Sequence, residues 1–457
     1  MRYRSTRGGV DGLPFVDAVT MGLGTDGGLL VPARIPDVRD AMQDWSELGY
    51  ADLAVEIIGL YVDDISDEAL RSIIDRSYAT FDDPAVTPLR TVGDIHVLEL
   101  FHGPTLAFKD VALQFLGNVF EHILADRDET LNILGATSGD TGSAAIAGVK
   151  GRENINIFIM FPDGKTSPSQ ELQMTTVPDA NVHALALRGS FDDCQAILKG
   201  TFGDLAFKER FRLAAVNSVN WARIVAQIVY YFSAYFQLGA PRAFNVAVPT
   251  GNFGNIFAAY LARQMGLPIH RLILATNGND ILSTFFNTGV YRRGEVQFSL
   301  SPAMDIQVSS NFERYLYYCQ DADPVRVHQF MESFAKSGEV SLAFNTRRFD
   351  EAFLAASASD EQTLQTLTHY FERHDYLMDP HTAVGVSVAA RFDDGLPLVC
   401  VATAHPAKFG DVIQPALPEA DVSHPTIDGL AGLPTRKTTL EADVDAIKTV
   451  IEERQAL

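Results

Sequence analysis

The sequence predicts an α/β protein with mainly parallel, twisted sheets flanked by helices, and with an additional mostly helical N-terminal portion. From residue 94 onward, short apolar runs alternate with segments of helical periodicity, as in βαβ units. Residues 1–93 lack this alternation, and residues 46–79 instead show mixed polar and apolar positions at helical spacing. We therefore expect an N-terminal portion over 1–93 and an α/β region over 94–457.

Seven segments of the α/β region are predicted as strands, because each is a short run rich in Val, Ile, Leu or Phe. They are residues 95–100, 131–134, 155–161, 182–187, 244–248, 272–276 and 396–403. In sheets of this kind, ligands bind just beyond the carboxyl ends of the strands, near helix N-termini. Residues 322–375 are polar with helical spacing, and we expect them to form a helical insertion or surface layer.

Composition excludes several classes of function. With 58 acidic and 36 basic residues the chain carries a net charge of −22, which repels phosphate backbones, so no nucleic-acid partner is expected. No run of about 18 apolar residues occurs and no signal peptide is visible, so we expect a cytoplasmic protein without a membrane partner. The three distant cysteines, Cys194, Cys319 and Cys400, offer neither a zinc pattern nor an even disulfide set, and no metal is expected.

Residues 102–110 place a single lysine where a turn meets a helix. Gly103 and Pro104 make the turn, and apolar positions recur at helical spacing from Lys109 onward. An apolar setting lowers the pKa of a lysine, which makes its amine a nucleophile able to form a Schiff base. The alternative is a helix-starting lysine that extends to water, and this segment taken alone favours that alternative.

Two loops that follow predicted strands have the composition of anion sites. Residues 135–144 bring glycines and hydroxyls to a helix N-terminus, where backbone N–H groups can bind an anion. In residues 249–256 two glycines allow close backbone approach, and successive N–H groups suit a phosphate. Neither loop matches a Walker A or a dinucleotide pattern. A tight packed turn and a helix cap by Asn255 remain the respective alternatives.

Polar groups at three further places suit the same site. Thr403 ends a predicted strand, where its hydroxyl can bond a ring nitrogen, whereas His405 before a proline favours a structural role. The loop 163–170, with Lys165 and Ser167, can clamp a phosphate or be an ordinary solvated loop. At the head of the apolar helix expected over 224–238, Asn220 and Arg223 either cap the helix or face a site.

An imine-forming lysine, a phosphate cradle and a partner for a pyridine nitrogen together are what pyridoxal 5'-phosphate requires. At these same segments the sequence closely resembles the threonine synthase family, in its longer class found in fungi and many bacteria. The resemblance covers nearly the whole chain, at residues 5–8, 24–29, 102–110, 136–145, 167–176, 218–223, 251–255, 275–277, 301–314, 379–383 and 403–409.

The resemblance implies a pyridoxal-phosphate enzyme of fold type II, similar to the β subunit of tryptophan synthase, with the cofactor between two open α/β subdomains. It assigns the Schiff base to Lys109 and the pyridine nitrogen to Thr403. It assigns the cofactor phosphate to the loop of Gly251, Asn252, Phe253, Gly254 and Asn255. The loop of Thr137, Ser138, Gly139, Asp140 and Thr141 would bind the substrate, together with Lys165, Ser167, Asn220 and Arg223.

The implied reaction converts O-phospho-L-homoserine and water into L-threonine and phosphate, the last step of threonine biosynthesis, in a monomer or small homo-oligomer. Lys165 stands where many relatives carry arginine, and Asn255 where some carry aspartate. Two alternatives remain. One is another lyase of the same fold, such as a serine or threonine dehydratase, which needs no second phosphate site. The other is a catalytically silent homologue that binds a phosphorylated ligand.

Overall fold

The structure, a computed structural model, describes residues 1–342 and 351–455. Its strands are β1 (Tyr3–Ser5), β2 (Leu30–Pro32), β3 (Leu89–Val92), β4 (Ile95–Glu99), β5 (Leu131–Ala136), β6 (Ile155–Pro162), β7 (Val182–Arg188), β8 (Leu213–Ala215), β9 (Phe244–Pro249), β10 (Ile269–Thr276), β11 (Val290–Arg292), β12 (Glu339–Ser341), β13 (Phe353–Ser357), β14 (Leu398–Ala402) and β15 (Thr438–Glu441).

Helices occupy most of the connections between these strands. They are α1 (Phe15–Met21), α2 (Tyr50–Gly59), α3 (Asp67–Tyr78), α4 (Lys109–Arg127), α5 (Asp140–Val149), α6 (Pro168–Thr175), α7 (Phe191–Gly203), α8 (Leu205–Arg210), α9 (Trp221–Gln237), α10 (Gly254–Gln264), α11 (Ile281–Thr288), α12 (Phe312–Cys319), α13 (Pro324–Ser337), α14 (Asp360–His374), α15 (Pro380–Ala389), α16 (Gly410–Ala416), α17 (Pro425–Asp428) and α18 (Val444–Gln455).

Two sheets form the framework and confirm the predicted α/β class. One has the order β13-β10-β9-β14-β4-β3, in which only the β3–β4 pair is antiparallel. The other has the order β15-β7-β6-β5-β8 and is parallel throughout. Their inner strands are buried on both faces, which explains the continuous apolar runs in the sequence.

All seven predicted strands are present, with ends within three residues of the expected ones. These seven are the interior strands of the two sheets. The four strands of these two sheets that the apolar pattern missed, β3, β8, β13 and β15, are the edges of the two sheets. Edge strands are partly solvated and short, so their sequences lack a continuous apolar run.

The N-terminal portion contains α1 to α3, and its last strand, β3, pairs with β4 across the expected boundary at residue 93. The segment 322–375 was expected to be a helical layer, but this expectation is only partly met. It holds α13 and α14, and it also contributes β12 and the sheet-edge strand β13. Residues 343–350 of that segment lie outside the described residues.

Helices α4 and α9 pack against each other in the core, and most of their residues are buried. Lys109 is the first residue of α4 and Arg223 lies in the first turn of α9. Two central helices therefore present cations at their N-terminal ends. Within the part of the chain that the structure describes, no helix combines the length and apolarity needed to cross a membrane.

Candidate active site

Three neighbouring strands of the six-stranded sheet end at one place. In the order β9-β14-β4, the first is followed by the loop 250–255, the second by Thr403 and the third by the segment that carries Lys109. Because these strands are parallel, their carboxyl ends meet at the same edge of the sheet. The structure thus brings together the three groups that the sequence assigns to the cofactor.

The segment before Lys109 is bonded through its backbone to the segment after β14. The Phe108 N–H donates to the Thr403 carbonyl at 2.8 Å, and the His405 N–H donates to the Leu106 carbonyl at 3.0 Å. Leu106 has a φ of 59°, a left-handed conformation that turns the chain toward α4. Lys109 and Thr403 are therefore fixed relative to each other by main-chain contacts.

Lys109 is buried rather than extended to water. Its Nζ lies 3.3 Å from Asp140 Oδ2, and it sits 5.1 Å from the centre of the Phe108 ring. Burial lowers the pKa of Lys109 from its ordinary value, against the opposing effect of the Asp140 carboxylate. A buried amine with a lowered pKa has the properties expected of a nucleophile and a general base.

Asp140 is shared between two buried lysines. Its Oδ1 lies 2.9 Å from Lys408 Nζ and accepts a hydrogen bond from Gln170 Nε2 at 2.8 Å. Burial by itself raises the pKa of a carboxyl, but the Lys408 and Lys109 ammonium groups hold the pKa of Asp140 well below its usual range. The Asp140 side chain is thus an ionised partner of the lysines.

The loop 251–255 is shaped as an anion nest. In the described chain, none of its backbone N–H groups donates to a protein acceptor. The Gly251 carbonyl accepts from Ser309 Oγ at 2.8 Å, which holds the carbonyl side of the loop. A Cβ at Gly251 would lie 2.9 Å from the Ala303 carbonyl oxygen, so the close approach requires glycine.

Asn255 does not cap α10, because Phe253, with a φ of 64°, occupies the cap position. Asn255 is buried in the first turn, where its Oδ1 accepts a hydrogen bond from Tyr230 at 2.6 Å and another from Tyr231. Its Nδ2 is buried without a hydrogen-bond partner among the described residues. The nest with this unpaired amide fits the phosphate of pyridoxal phosphate.

Thr403 lies directly after β14, at the sheet edge where Lys109 and the loop 251–255 also lie. Its backbone N–H donates to Thr382 Oγ1 at 3.3 Å, whereas its own hydroxyl has no hydrogen-bond partner in the described chain. Thr382 in turn bonds Asp379, which caps α15. His405 has the structural role expected of it, because its Nδ1 accepts the Ala407 N–H and burial lowers its pKa to about 4.

The loop 137–141 follows β5 of the other sheet. Thr137 is buried, and its Oγ1 accepts the N–H groups of Gly139 and Gly142 at 2.9 Å each. Ser138 is exposed, Thr141 is half-buried, and neither hydroxyl has a partner in the part of the chain that is described. Thr137 therefore shapes the loop, while Ser138 and Thr141 present groups that a ligand can contact.

Arg223 is a buried cation that lacks a full set of partners. Its Nε and Nη1 atoms have no hydrogen-bond partner among the described residues, and burial lowers its pKa to about 10. Its charge also contributes to the lowered pKa of Lys109. A buried guanidinium without an acceptor is costly, and it indicates a site for an anion.

Two of the expected substrate residues have other contacts. Asn220 caps α9, since its Oδ1 accepts the Ala222 N–H at 3.1 Å while its Nδ2 donates to the Val19 carbonyl at 2.9 Å. Lys165 is exposed, and its Nζ donates to the Gly189 carbonyl at 3.0 Å. The oxygen and the nitrogen of the Asn220 amide are thus both bonded to protein. Lys165 does not contact Lys109, because its amine is directed to Gly189.

The rest of the loop 163–170 does approach the site. Ser167 caps α6 by accepting the Gln170 N–H, and Ser169 Oγ donates to the Lys408 carbonyl at 3.2 Å. Gln170 and Lys408 are site residues that sequence reasoning did not single out. Lys408 lies within the matching segment 403–409, but only the folded chain shows that its side chain turns toward Asp140.

Comparison with known proteins agrees with this geometry. Three family models match, described as threonine synthase N terminus over residues 2–78, pyridoxal-phosphate dependent enzyme over 84–404 and threonine synthase C-terminal over 382–451. A threonine synthase of Pseudomonas aeruginosa is 48% identical, covering 91% of this chain and 90% of that relative. One of Schizosaccharomyces pombe is 41% identical, covering 98% and 97% respectively.

Among solved structures, that of a threonine synthase from Brucella melitensis with bound pyridoxal phosphate is similar, with a TM-score of 0.96 and 42% identity over 100% of both chains. The resemblance of the sequence and the fold of the structure are thereby both confirmed. The chain belongs to the threonine synthase family of pyridoxal-phosphate-dependent enzymes.

Proposed function

We propose that this chain converts O-phospho-L-homoserine and water into L-threonine and phosphate, using bound pyridoxal phosphate. The observation that carries the proposal is a second anion site. Besides the nest at 251–255, the buried Arg223 guanidinium has Nε and Nη1 unpaired in the described chain. The cofactor phosphate accounts for the nest, and a substrate with its own phosphate accounts for the unpaired guanidinium. A dehydratase substrate carries no phosphate and would leave that guanidinium without its anion.

On the cofactor side, the N–H groups of 251–255 and Asn255 Nδ2 would hold the cofactor phosphate, and Thr403 Oγ1 would bond the pyridine nitrogen. When bound, the cofactor supplies the electron sink that makes the Cα proton of an amino acid acidic. A threonine hydroxyl leaves the ring nitrogen unprotonated, in contrast to a carboxylic acid. The Thr403 hydroxyl therefore sets a milder electron sink.

Lys109 would first hold the cofactor and then act as the base. Once the substrate amine has displaced it, its neutral amine can take the proton from Cα, because burial keeps its pKa lowered. The same amine can return a proton along the carbon chain and finally release the product. Asp140 lies 3.3 Å from Lys109 Nζ and would hold the amine in place between these steps.

On the substrate side, the N–H groups and hydroxyls of the loop 137–141 would bind the substrate carboxylate. Arg223 would bind the substrate phosphate, and Ser167 would be a second donor once its hydroxyl leaves Gln170 Oε1, to which it donates at 3.0 Å. The side chains of Asp140 and Asn220 have protein partners, so we assign them to positioning rather than to substrate contact. We further propose a cytoplasmic enzyme that is a monomer or a small homo-oligomer.

The test is phosphate release from O-phospho-L-homoserine by wild type and by Lys109→Ala. We expect the variant to lose the visible absorbance of the cofactor bonded to Lys109. We expect kcat to fall by at least about 10²-fold, since a general base alone contributes about 10²–10⁴-fold. The matched control is Lys150→Ala, a change of an exposed lysine at the end of α5.

The same assay separates the alternatives. Formation of pyruvate or 2-oxobutyrate from serine or threonine, without turnover of the phosphorylated substrate, would identify a dehydratase. A wild-type protein that binds neither cofactor nor substrate covalently would support the silent homologue. Release of one phosphate for each threonine formed is the result expected from the proposal.

A further inference from the structure

Lys408 is a second buried lysine beside Lys109, and the proposed mechanism does not use it. It lies in the short helix Pro406–Phe409, and its side chain has 0% exposure. Its Nζ donates to the Thr105 carbonyl at 2.7 Å and lies 2.9 Å from Asp140 Oδ1. A lysine buried this deeply is costly unless its charge is paired and hydrogen-bonded, and these two contacts supply a carboxylate partner and a carbonyl acceptor.

Asp140 does not share its oxygens equally. Its Oδ1 receives Lys408 at 2.9 Å and Gln170 at 2.8 Å, whereas its Oδ2 has Lys109 at 3.3 Å. The stronger, charge-assisted contact is therefore made to Lys408, and the contact to Lys109 is the longer one. Lys109 can leave Asp140 while the other oxygen remains held.

The Asp140 carboxylate needs a cation beside it throughout the reaction. In the proposed function, Lys109 exchanges its ammonium form for a bond to the cofactor and back again in every turnover. With Lys109 as its only cation, Asp140 would become an uncompensated buried carboxylate at each exchange, which is strongly unfavourable. Lys408 gives Asp140 a permanent counter-ion that takes no part in the exchange.

Lys408 also reaches the backbone that carries Lys109. The Thr105 carbonyl that it bonds belongs to the turn before α4, and Gln173 Nε2 donates to the same carbonyl at 3.1 Å. The turn is held from the inside by Asp110, which accepts the Thr105 N–H at 2.8 Å and the Thr105 hydroxyl at 2.7 Å. One side chain thus links the Asp140 carboxylate to the start of α4.

We propose that Lys408 is a positioning residue for Lys109, holding Asp140 and the turn before α4 in place while Lys109 alternates between its amine and its bond to the cofactor. This inference rests on the proposed function for the identity of that bond. Its second consequence is electrostatic. The Lys408 charge disfavours the protonated form of Lys109 and so opposes the effect of Asp140.

The charged groups around Lys109 come from several elements. Asp140 on α5 favours the ammonium form of Lys109. Lys408, in the short helix Pro406–Phe409, and Arg223, on α9, disfavour that form. Asp110, next to Lys109 on α4, interacts with Lys408, and burial raises the pKa of Asp110 to about 6. His381 on α15 helps to lower the pKa of Asp140. Removing the Lys408 charge should therefore raise the pKa of the Lys109 nitrogen, and removing the Asp140 charge should lower it.

The experiment is a pH titration of the holoenzyme without substrate, followed through the visible absorbance of the cofactor bonded to Lys109. We expect Lys408→Met to raise the midpoint by about 1 pH unit or more, and Asp140→Asn to lower it by a similar amount. If the midpoint of Lys408→Met lies outside the pH range in which the protein is stable, Asp140→Asn is compared with the Lys408→Met/Asp140→Asn double variant instead.

Turnover supplies the second readout. Because Lys109 acts as a base only when it is neutral, a raised pKa moves the acidic limb of the kcat profile of Lys408→Met to higher pH. We expect kcat at neutral pH to fall about tenfold or more with KM changed far less. The matched control is Lys448→Met, which removes a lysine paired with Asp204 away from the site.

Unchanged midpoints and an unchanged acidic limb in Lys408→Met, with only a lower Tm, would reduce Lys408 to a structural residue and overturn the inference. If Lys408→Met does not fold, Lys408→Gln and the Lys408→Met/Asp140→Asn double variant, which carries no buried charge at this pair, decide in the same titration. The titration needs no substrate. A wild type that titrates but releases no phosphate would overturn the proposed function instead.

Discussion

The two sheets meet at the site, but they present different kinds of groups to it. The six-stranded sheet supplies the backbone nest 251–255 and the segment before Lys109, which is hydrogen-bonded to Thr403 through the main chain. The five-stranded sheet supplies the loop 137–141, in which the exposed hydroxyl of Ser138 is accessible to a ligand. Arg223, on the helix α9, adds a side-chain cation without a complete set of partners in the described chain.

This difference separates two ways of binding an anion. A nest made of N–H groups depends on backbone conformation more than on any one side chain. A site made of a guanidinium depends on one side chain and on its burial. We therefore expect the substrate side to be more sensitive to single substitutions than the cofactor side.

The largest effect expected from this comparison is that of Arg223→Met. Loss of a buried charge that binds the substrate phosphate should lower kcat/KM by about 10²–10³-fold, in line with truncation of a buried charge pair. Without substrate the variant should be more stable, by about 1–4 kcal/mol, because an incompletely paired buried cation is replaced by an apolar side chain. Phosphate-release kinetics and the thermal denaturation of the holoenzyme measure the two changes.

Arg314→Met is the matched control for stability. Arg314 is equally buried, but its guanidinium donates to the carbonyls of Leu30 and Val219 and to Asn311. Its removal should lower Tm, because three acceptors lose their donor. A fall in Tm for Arg223→Met as well would show that Arg223 has a structural partner and would remove the case for an anion there.

A smaller effect is expected on the cofactor side, from Thr403→Val. The Thr403 hydroxyl has no hydrogen-bond partner in the described chain, so stability should change by less than about 1 kcal/mol. Loss of one hydrogen bond to the cofactor ring should lower kcat about tenfold and alter the visible spectrum of the bound cofactor. Spectra and kcat are compared with those of wild type.

The control is Thr382→Val, which removes a hydroxyl that bonds Asp379 and accepts the Thr403 N–H. This variant should have a lower Tm than wild type, but the visible spectrum of its bound cofactor should change less than that of Thr403→Val. If Thr403→Val leaves both spectrum and kcat unchanged, the pyridine nitrogen has another partner, and the assignment from the family resemblance fails at this position.

The same contrast explains how much could be predicted from the sequence. The interior strands carry continuous apolar runs because they are buried on both faces, and their ends place the loops 135–144 and 249–256 at the site. A nest is built from backbone, so its position follows once the strand and the helix after it are known. The edges β3, β8, β13 and β15 lack that pattern and were missed.

Side-chain direction could not be predicted in the same way. Lys165 lies in a loop expected to clamp a phosphate and Lys408 lies in the matching segment 403–409, yet Lys165 reaches the Gly189 carbonyl and Lys408 reaches Asp140. Asn220 and Arg223 lie one turn apart on the same helix end, and one caps the helix while the other has Nε and Nη1 unpaired within the described chain. These outcomes depend on tertiary contacts that no local spacing encodes.

The smallest effect is expected for Lys165→Met, which removes the exposed cation of the loop 163–170. Lys165 is exposed and its Nζ donates 3.0 Å to the Gly189 carbonyl, so its charge is well solvated in this structure. An exposed contact of this kind is worth about 0–1 kcal/mol, so KM for O-phospho-L-homoserine should change by less than about fivefold and Tm hardly at all.

The contrary result would be informative. A rise in KM of Lys165→Met comparable to the loss in Arg223→Met would mean that Lys165 leaves Gly189 and reaches the substrate phosphate when substrate is bound. The five-stranded sheet would then move toward Lys109 during binding, and the substrate phosphate would be held from two sides. Equal salt dependence of KM in wild type and Lys165→Met would argue against such a movement, because a mobile exposed cation is screened by salt whereas the buried Arg223 is not.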